Sequence, residues 1–203
     1  MIYVIIGAPG AGKGTRAEIL EEKLKILHIS TGSMIRENNE IYEKYKEQIE
    51  NGHLLSDEII SELLEERLRK EDAKNGCIID GYPRTVNQAY KLDEILAKLG
   101  KKIDKVFLIE ANIETIYSRI LSRVVCVKCG EIYNKKYVDE NGNKCLKCGY
   151  ELSIRADDNS ITLKNRIDRY YSNIDEIREY YESKGILEIV DALEESSKIV
   201  ERI

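Results

Sequence analysis

Apolar residues along the 203-residue chain fall into two alternating patterns. The first is a short continuous run, at residues 2–6, 26–29, 77–79, 105–109 and 186–190. A run that stays apolar at every position suits a parallel strand buried on both faces, whereas a half-exposed strand alternates. The second pattern repeats every three or four positions, as one stripe of an amphipathic helix does. Ile59, Ile60, Leu63, Leu64 and Leu68 form such a stripe behind Ser56, a helix N-cap followed by Asp57 and Glu58 in the first turn. Ile113, Ile116, Tyr117, Ile120 and Leu121 form a second stripe, and Ile167, Tyr170, Tyr171, Ile174, Ile177 and Tyr181 a third. Asp191 with Glu194 reads as a capping box for a last helix. Strands alternating with helices predict an α/β fold. A five-stranded parallel sheet carries helices on both faces, and ligands sit beyond the carboxyl ends of its strands.

Two segments interrupt the alternation. Residues 30–59 carry short helical pieces and no strand, and residues 124–154 show no helical period but a hairpin signal at Asn141 and Gly142. The core is therefore expected at 1–29, 60–123 and 155–203, with 30–59 and 124–154 as insertions.

Four of the five cysteines lie in the second insertion. Cys126 and Cys129 form one C-x-x-C pair, Cys145 and Cys148 another, fifteen residues apart. This is the two-knuckle spacing of a tetrahedral Zn²⁺ site, with Gly130 and Gly149 letting the backbone curl. Two disulfides are the alternative, disfavoured in a cytosolic protein. So small a segment has little apolar core, and the metal supplies its stability. Cys77 sits in an apolar run and reads as a buried strand residue. His28 and His53 are not needed as ligands.

Composition narrows the partners. Hydrophobic residues make up 42% and charged ones 34%, and 32 basic against 37 acidic residues leave a net charge of −5. No run approaches the roughly 18 apolar residues of a membrane span, and the first run is too short for a signal peptide. A cytoplasmic protein with no membrane partner is expected. The acidic excess argues against nucleic acid, which wants a basic face.

The first apolar run ends in GAPGAGKGT, residues 7–15, where a helical pattern begins. Strand, glycine-rich turn and helix N-terminus make an anion cradle, and Lys13 can reach the outer phosphates of a nucleotide. Gly14 stands where Ser or Thr is usual, and Thr15 comes one place late, so the hydroxyl that normally binds Mg²⁺ is missing. Arg36, Arg84, Arg119, Arg123, Arg155 and Arg166 all lie near turns or insertion boundaries. Arg119 and Arg123, four apart, read as one helix face. Like charges there repel by a few tenths of a kcal/mol, which a bound anion would relieve; a solvated face is the alternative.

GAPGAGKGT (7–15), HISTG (28–32), DGYPRT (80–85) and RADD (155–158) together resemble adenylate kinase, in order and over essentially the whole chain. The cysteine segment resembles the zinc-containing LID of bacterial members. The resemblance implies a P-loop nucleoside monophosphate kinase fold with an NMP-binding insertion at 30–59 and a zinc LID at 124–154. It implies a monomer that reversibly transfers a phosphoryl group from Mg-ATP to AMP, giving two ADP. Gly10, Ala11, Gly12, Lys13, Gly14 and Thr15 would wrap the ATP phosphates. Arg119 and Arg123 would lie along ATP, Ile132 and Tyr133 would cover it, and the carbonyl near Glu194 would touch its base. Thr31 and Arg36 would hold AMP, while His53, Leu54, Leu55, Gly81, Tyr82, Pro83 and Arg84 line its pocket. Gln88 would read the adenine edge; capping its own helix with Thr85 is the alternative. Arg155 and Arg166 would clamp the phosphates in flight. Asp80 would reach Mg²⁺ through water, or else serve as a turn residue. Asp157 and Asp158 would orient the arginines, or else lie in a solvated loop; Tyr133 could instead pack under the LID.

The chain departs from the family pattern where Ser33 replaces an Asp, Arg16 a Gln and Tyr82 a Phe. Ser33 together with Gly14 implies weaker organisation of Mg²⁺. Arg16 has no role legible in the sequence. Other readings are a different nucleoside monophosphate kinase, a nucleic-acid-binding NTPase with a zinc ribbon, and a non-catalytic nucleotide-binding module.

Overall fold

The apolar run at the head of the chain becomes strand β1 (Ile2–Gly7), the middle of a five-stranded parallel sheet. The computed structural model describes the backbone of all 203 residues and every side chain except those of Asp139 and Asn141. From β1 the chain runs through α1 (Lys13–Leu24) to β2 (Leu27–Ser30). Four helices follow, α2 (Thr31–Glu37), α3 (Asn39–Lys44), α4 (Lys46–Glu50) and α5 (Asp57–Leu68), before β3 (Cys77–Asp80). Helix α6 (Val86–Lys98) leads to β4 (Lys105–Glu110), and α7 (Ile113–Leu121) to a small antiparallel sheet. That sheet comprises β5 (Arg123–Cys126), β6 (Ile132–Asn134) and β7 (Leu152–Ser153), with α8 (Lys135–Asn141) between the last two. Helix α9 (Ser160–Ser183) returns the chain to the main sheet as β8 (Leu187–Asp191), and a 3-10 helix (Ser196–Arg202) follows.

All five continuous runs are strands of the main sheet, in the order β2-β3-β1-β4-β8 with every neighbour parallel. Their lack of alternation has a direct cause. Ile2, Val4 and Ile6 pack into a core with Leu64 of α5, Leu92 of α6 and Tyr181 of α9. Tyr3 and Ile5 face the opposite core, with Leu20 of α1 and Ile116 and Ile120 of α7. Each such buried aliphatic side chain contributes roughly 2 kcal/mol, so both faces require apolar residues. The helix after β1 and the helix after β3 lie on opposite faces. The crevice beyond these strand ends is where such sheets bind ligands. Asp80 closes β3 there, in register with Ile5 and Ser30. No helix among the described residues is long and apolar enough to cross a membrane.

Two local expectations are corrected. The expected hairpin at Asn141 and Gly142 is instead the end of helix α8. Asn134 caps that helix by accepting from the Lys136 N–H at 2.9 Å, and the Tyr137 ring stacks on Tyr133 at 4.7 Å. These contacts override the local turn preference, and Gly142, at φ 80°, terminates the helix. Asp191 does not open a capping box. Pairing with Glu110 holds it in β8, its Oδ1 accepts from Leu193 N at 2.7 Å, and the Glu194 carboxylate pairs with Arg202 at 2.8 Å.

Candidate active site

The glycine loop is built by close approach. Gly7, at φ 148°, would place a Cβ only 2.5 Å from the Ile109 carbonyl oxygen, so no side chain fits where β1 turns. Gly12 caps α1 at φ 91° with no side chain on the first-turn N–H groups, which leaves them for an anion. The Lys13 ammonium folds over the loop and donates to Gly7 O at 3.0 Å and Ala8 O at 2.8 Å. Burial pushes its pKa down to about 8; Asp80 opposes this, and Arg84, Arg166 and Arg123 add to it.

Beyond the loop lies a cleft of about 1530 Å³ lined by Gly10, Gly12, Lys13, Gly14, Thr15, Asp80, Arg119 and Arg123, with Ile132, Tyr133 and Arg155 opposite. A second cavity of about 690 Å³ is lined by Thr31, Arg36, Gly81, Tyr82, Arg84, Gln88 and residues 53–55. Gly32, Arg36, Gly81, Arg84 and Arg166 belong to both and form a common wall. The charges here are unbalanced: one lysine and seven arginines face Glu18, Asp80, Asp157 and Asp158. Burial and neighbouring Arg166 lower the Arg84 pKa to about 10, and burial with Arg36 and Arg123 does the same to Arg155. Asp158, whose side chain is fully buried, takes both nitrogens of the Arg123 fork, and Asp157 takes Arg166 at 3.0 Å. Asp157 and Asp158 are thus arginine-orienting residues, not solvated loop.

The family model described as adenylate kinase matches residues 5–186. The chain belongs to the adenylate kinase family. An adenylate kinase from Caldicellulosiruptor bescii is 43% identical over 200 residues, covering 96% of this chain and 93% of its own. One from Pseudothermotoga lettingae is 42% identical over 208 residues, covering 100% and 96%. One from Archaeoglobus fulgidus is 42% identical over 196 residues, covering 94% and 90%.

Against that adenylate kinase frame, most of the expected residues converge, but several sit differently. Arg119 and Arg123 do not share a helix face, because α7 stops at Leu121 and Arg123 pairs in β5 with Asn134. Arg119 instead donates to Ala11 O at 3.2 Å and Ala192 O at 2.9 Å. The Ala11 side chain is fully buried, so only its backbone is available. Pro83 lines an adjoining pocket beside α9. Arg155 borders the larger cleft, not the smaller cavity. Glu194 borders neither; its carbonyl accepts from Arg16 at 2.8 Å. Thr85 caps α6, but Gln88 does not complete a box with it. Its Oε1 accepts from Arg84 N at 2.7 Å, and its Nε2 donates to Asp57 Oδ1 at 2.7 Å. The sequence marked Asp57 only as a first-turn acid, and missed Arg169 altogether. Arg169 donates to Gly52 O at 2.8 Å and meets His53 Nδ1 at 2.6 Å, docking the 50–53 loop on α9.

The cysteine cluster fits a metal. All four sulfurs lie within 4.8 Å of one another, with contacts of 3.4 to 3.6 Å. These are far longer than a disulfide bond and near the roughly 3.8 Å edge of a tetrahedron with Zn–S bonds of about 2.3 Å. The Tyr133 hydroxyl accepts from Leu146 N at 3.0 Å and contacts Cys145 Sγ at 3.3 Å. Tyr133 therefore both borders the cleft and braces the cluster.

Proposed function

We propose that this chain moves the γ-phosphoryl group of Mg-ATP onto AMP and releases two ADP, acting as a single cytoplasmic chain. The observation that carries the reading is the cationic wall shared by two cavities. With ATP in the larger and AMP in the smaller, their phosphates meet at Arg36, Arg84 and Arg166. An AMP phosphate oxygen attacks the γ-phosphorus as its bond to the β–γ bridging oxygen breaks, and the electron pair leaves with ADP. No protein nucleophile is needed. Phosphoryl transfer asks for in-line placement and positive charge on the transferring oxygens. Lys13, Arg123 and Arg155 supply that charge from the ATP side. Thr31 and Gln88, the latter fixed by Asp57 and the Arg84 N–H, favour adenine in the acceptor cavity.

Residues 1–29, 60–123 and 155–203 act as the core. Residues 30–59 form the AMP-binding insertion, and 124–154 a LID stapled by Zn²⁺ on Cys126, Cys129, Cys145 and Cys148. Closure of both keeps water, the rival acceptor, away from the γ-phosphate.

Adenylate kinases use Mg²⁺, which when bound neutralises charge on the β- and γ-phosphates. Asp80 fits a role toward the hydrated ion. Its Oδ2 lies 3.5 Å from His28 Nε2, and a Cβ at position 14 would stand 3.7 Å from it, so Gly14 leaves open space beside the carboxylate. Ser33 brings no charge; its hydroxyl accepts from Arg36 at 3.4 Å. Ser33→Asp is expected to raise turnover at limiting Mg²⁺, and an unchanged Mg²⁺ dependence contradicts this.

Lys13 offers a pH test. Its pKa is near 8 without ligand, and phosphate oxygens raise it toward the ordinary value. Binding of Mg-ATP, whose terminal phosphate is already ionised, is thus expected to take up close to one proton at about pH 9 and almost none at about pH 6.5. Calorimetry in buffers of different ionisation enthalpy reads this directly; equal uptake at both pH values contradicts it.

A coupled assay with AMP, GMP, CMP and UMP, with and without Mg²⁺, tests the function. Turnover is expected with AMP and Mg²⁺. Preference for another monophosphate makes the chain a different kinase, and no turnover with any of them makes it a binding module.

A further inference from the structure

The segment between β2 and α5 has little of its own to hold it in place. Neither α3 nor α4 buries a residue. A cavity of about 650 Å³ is lined by Gly52 and Leu54 of the loop after α4 and by Ile6, Tyr170, Ile174 and Ile177 of the core, so apolar packing of that loop is incomplete. Polar contacts hold it instead, and they come from one face of α9. Thr162 Oγ1 donates to Glu50 O at 2.9 Å, Asn165 Nδ2 to Asn51 O at 3.3 Å and Arg169 Nη1 to Gly52 O at 2.8 Å. Successive carbonyls at the end of α4 thus meet donors at helical spacing along α9. Gly52, at φ 74°, permits the approach, since a Cβ there would lie 2.8 Å from Arg166 Cγ and 3.0 Å from Thr162 O. A fourth contact joins Arg169 Nη2 to His53 Nδ1 at 2.6 Å. A guanidinium only donates, so His53 Nδ1 accepts and the imidazole is neutral. From His53 the chain runs straight on into Leu54 and Leu55 of the smaller cavity.

We propose that Arg169 is a positioning residue for acceptor affinity: it clasps the 50–53 loop so that residues 53–55 stand ready as a wall of the smaller cavity. Without the clasp that wall has to be ordered by the acceptor itself, which weakens AMP binding and leaves ATP binding alone. The clasp is also sensitive to protons. A second proton on His53 removes the acceptor and sets a cation against Arg169. The other titratable groups lining that cavity are Arg36 of α2, Tyr82 and Arg84 after β3, Asp157 before α9 and Arg166 within it. Asp157 is already taken by Arg166, and on the loop's own helix the Glu50 carboxylate accepts from the Tyr42 hydroxyl. The inference rests on the reading that AMP occupies the smaller cavity.

Arg169→Met and Arg169→Lys test it. For R169M, KM for AMP is expected to rise about tenfold at about pH 8, with KM for ATP as the internal reference moving less than about twofold. R169K keeps the charge but loses the fork that reaches Gly52 O and His53 together, and falls between R169M and wild type. The ratio of the R169M to the wild-type KM for AMP is expected to shrink severalfold between about pH 8 and about pH 5.5, because protonation of His53 has then already loosened the wild-type clasp. Ionisation of AMP itself cancels in that ratio. A merely structural role moves both KM values alike; that result, or a ratio unchanged across this pH range, overturns the proposal. Hydrogen exchange without nucleotide reads the clasp by itself: R169M is expected to exchange faster at residues 48–55 and not in the main sheet, and unaltered exchange at 48–55 overturns the proposal. If the exchange difference stands but wild-type protein makes no ADP from ATP and AMP, the functional reading fails and the clasp remains.

Discussion

Replacing Lys13 by methionine is expected to lower kcat/KM for ATP by about two to three orders of magnitude while the melting temperature stays level or rises. The two effects have one origin. The ammonium is partly buried on the floor of the cleft, with its pKa near 8, because burial and three arginines disfavour its charge. Its compensation within the protein comes from the loop carbonyls Gly7 O and Ala8 O and from the Asp80 carboxylate. Methionine fills the same volume and removes the repulsion, so the fold loses little. On the proposed reading, catalysis loses the one cation that the loop itself delivers to the β- and γ-oxygens. Steady-state kinetics with thermal melting on the same preparation reads both sides. Activity within about tenfold of wild type would remove Lys13 from phosphate binding.

Cys145→Ser is expected to lower the melting temperature of the LID by about 10 °C or more, through loss of a metal ligand, while the rate at low temperature falls far less. The apolar core of this segment is tiny. Of its four buried members, Val124, Cys126, Cys145 and Leu152, two are themselves cluster cysteines. A metal held by the four sulfurs would supply most of what holds the segment, and the substitution also takes away the sulfur that the Tyr133 hydroxyl contacts. None of the four cysteines borders the cleft, whose LID side is lined instead by Gly130, Ile132, Tyr133 and Asn134. The chemistry is affected only as far as the LID is displaced. Metal analysis, melting with and without chelator, and initial rates give the comparison. An equal collapse of rate and stability would show that the metal acts in the reaction.

The sheet was legible because burial on both faces leaves an unmistakable trace: β1 and β3 read as unbroken apolar runs. The phosphate loop and cysteine knuckles were legible because their chemistry needs those residues at that spacing. What escaped depended on contacts between distant parts of the chain. The Asn141 and Gly142 signal was real, but it ends a helix that Tyr133 and Tyr137 stack to support. Arg119 and Arg123 look like helix neighbours until the pairing of Arg123 with Asn134 in β5 separates them. Arg16 carried no motif. Its partners are carbonyls of residues 191–194, which have no side-chain signature. Asp57 and Arg169 likewise act through Gln88 and the Gly52 carbonyl, so that nothing in their own surroundings along the chain marks them.

The most direct test of two nucleotides meeting at one arginine wall follows the phosphorus itself. The protein is incubated with Mg²⁺, AMP and ATP labelled at the γ-phosphorus, and the products are separated. The label is expected in the β-phosphate of ADP, with two ADP formed for each ATP consumed and no inorganic phosphate beyond the enzyme-free control. Label released as inorganic phosphate, or retained in ATP while both nucleotides bind, would contradict direct transfer between them.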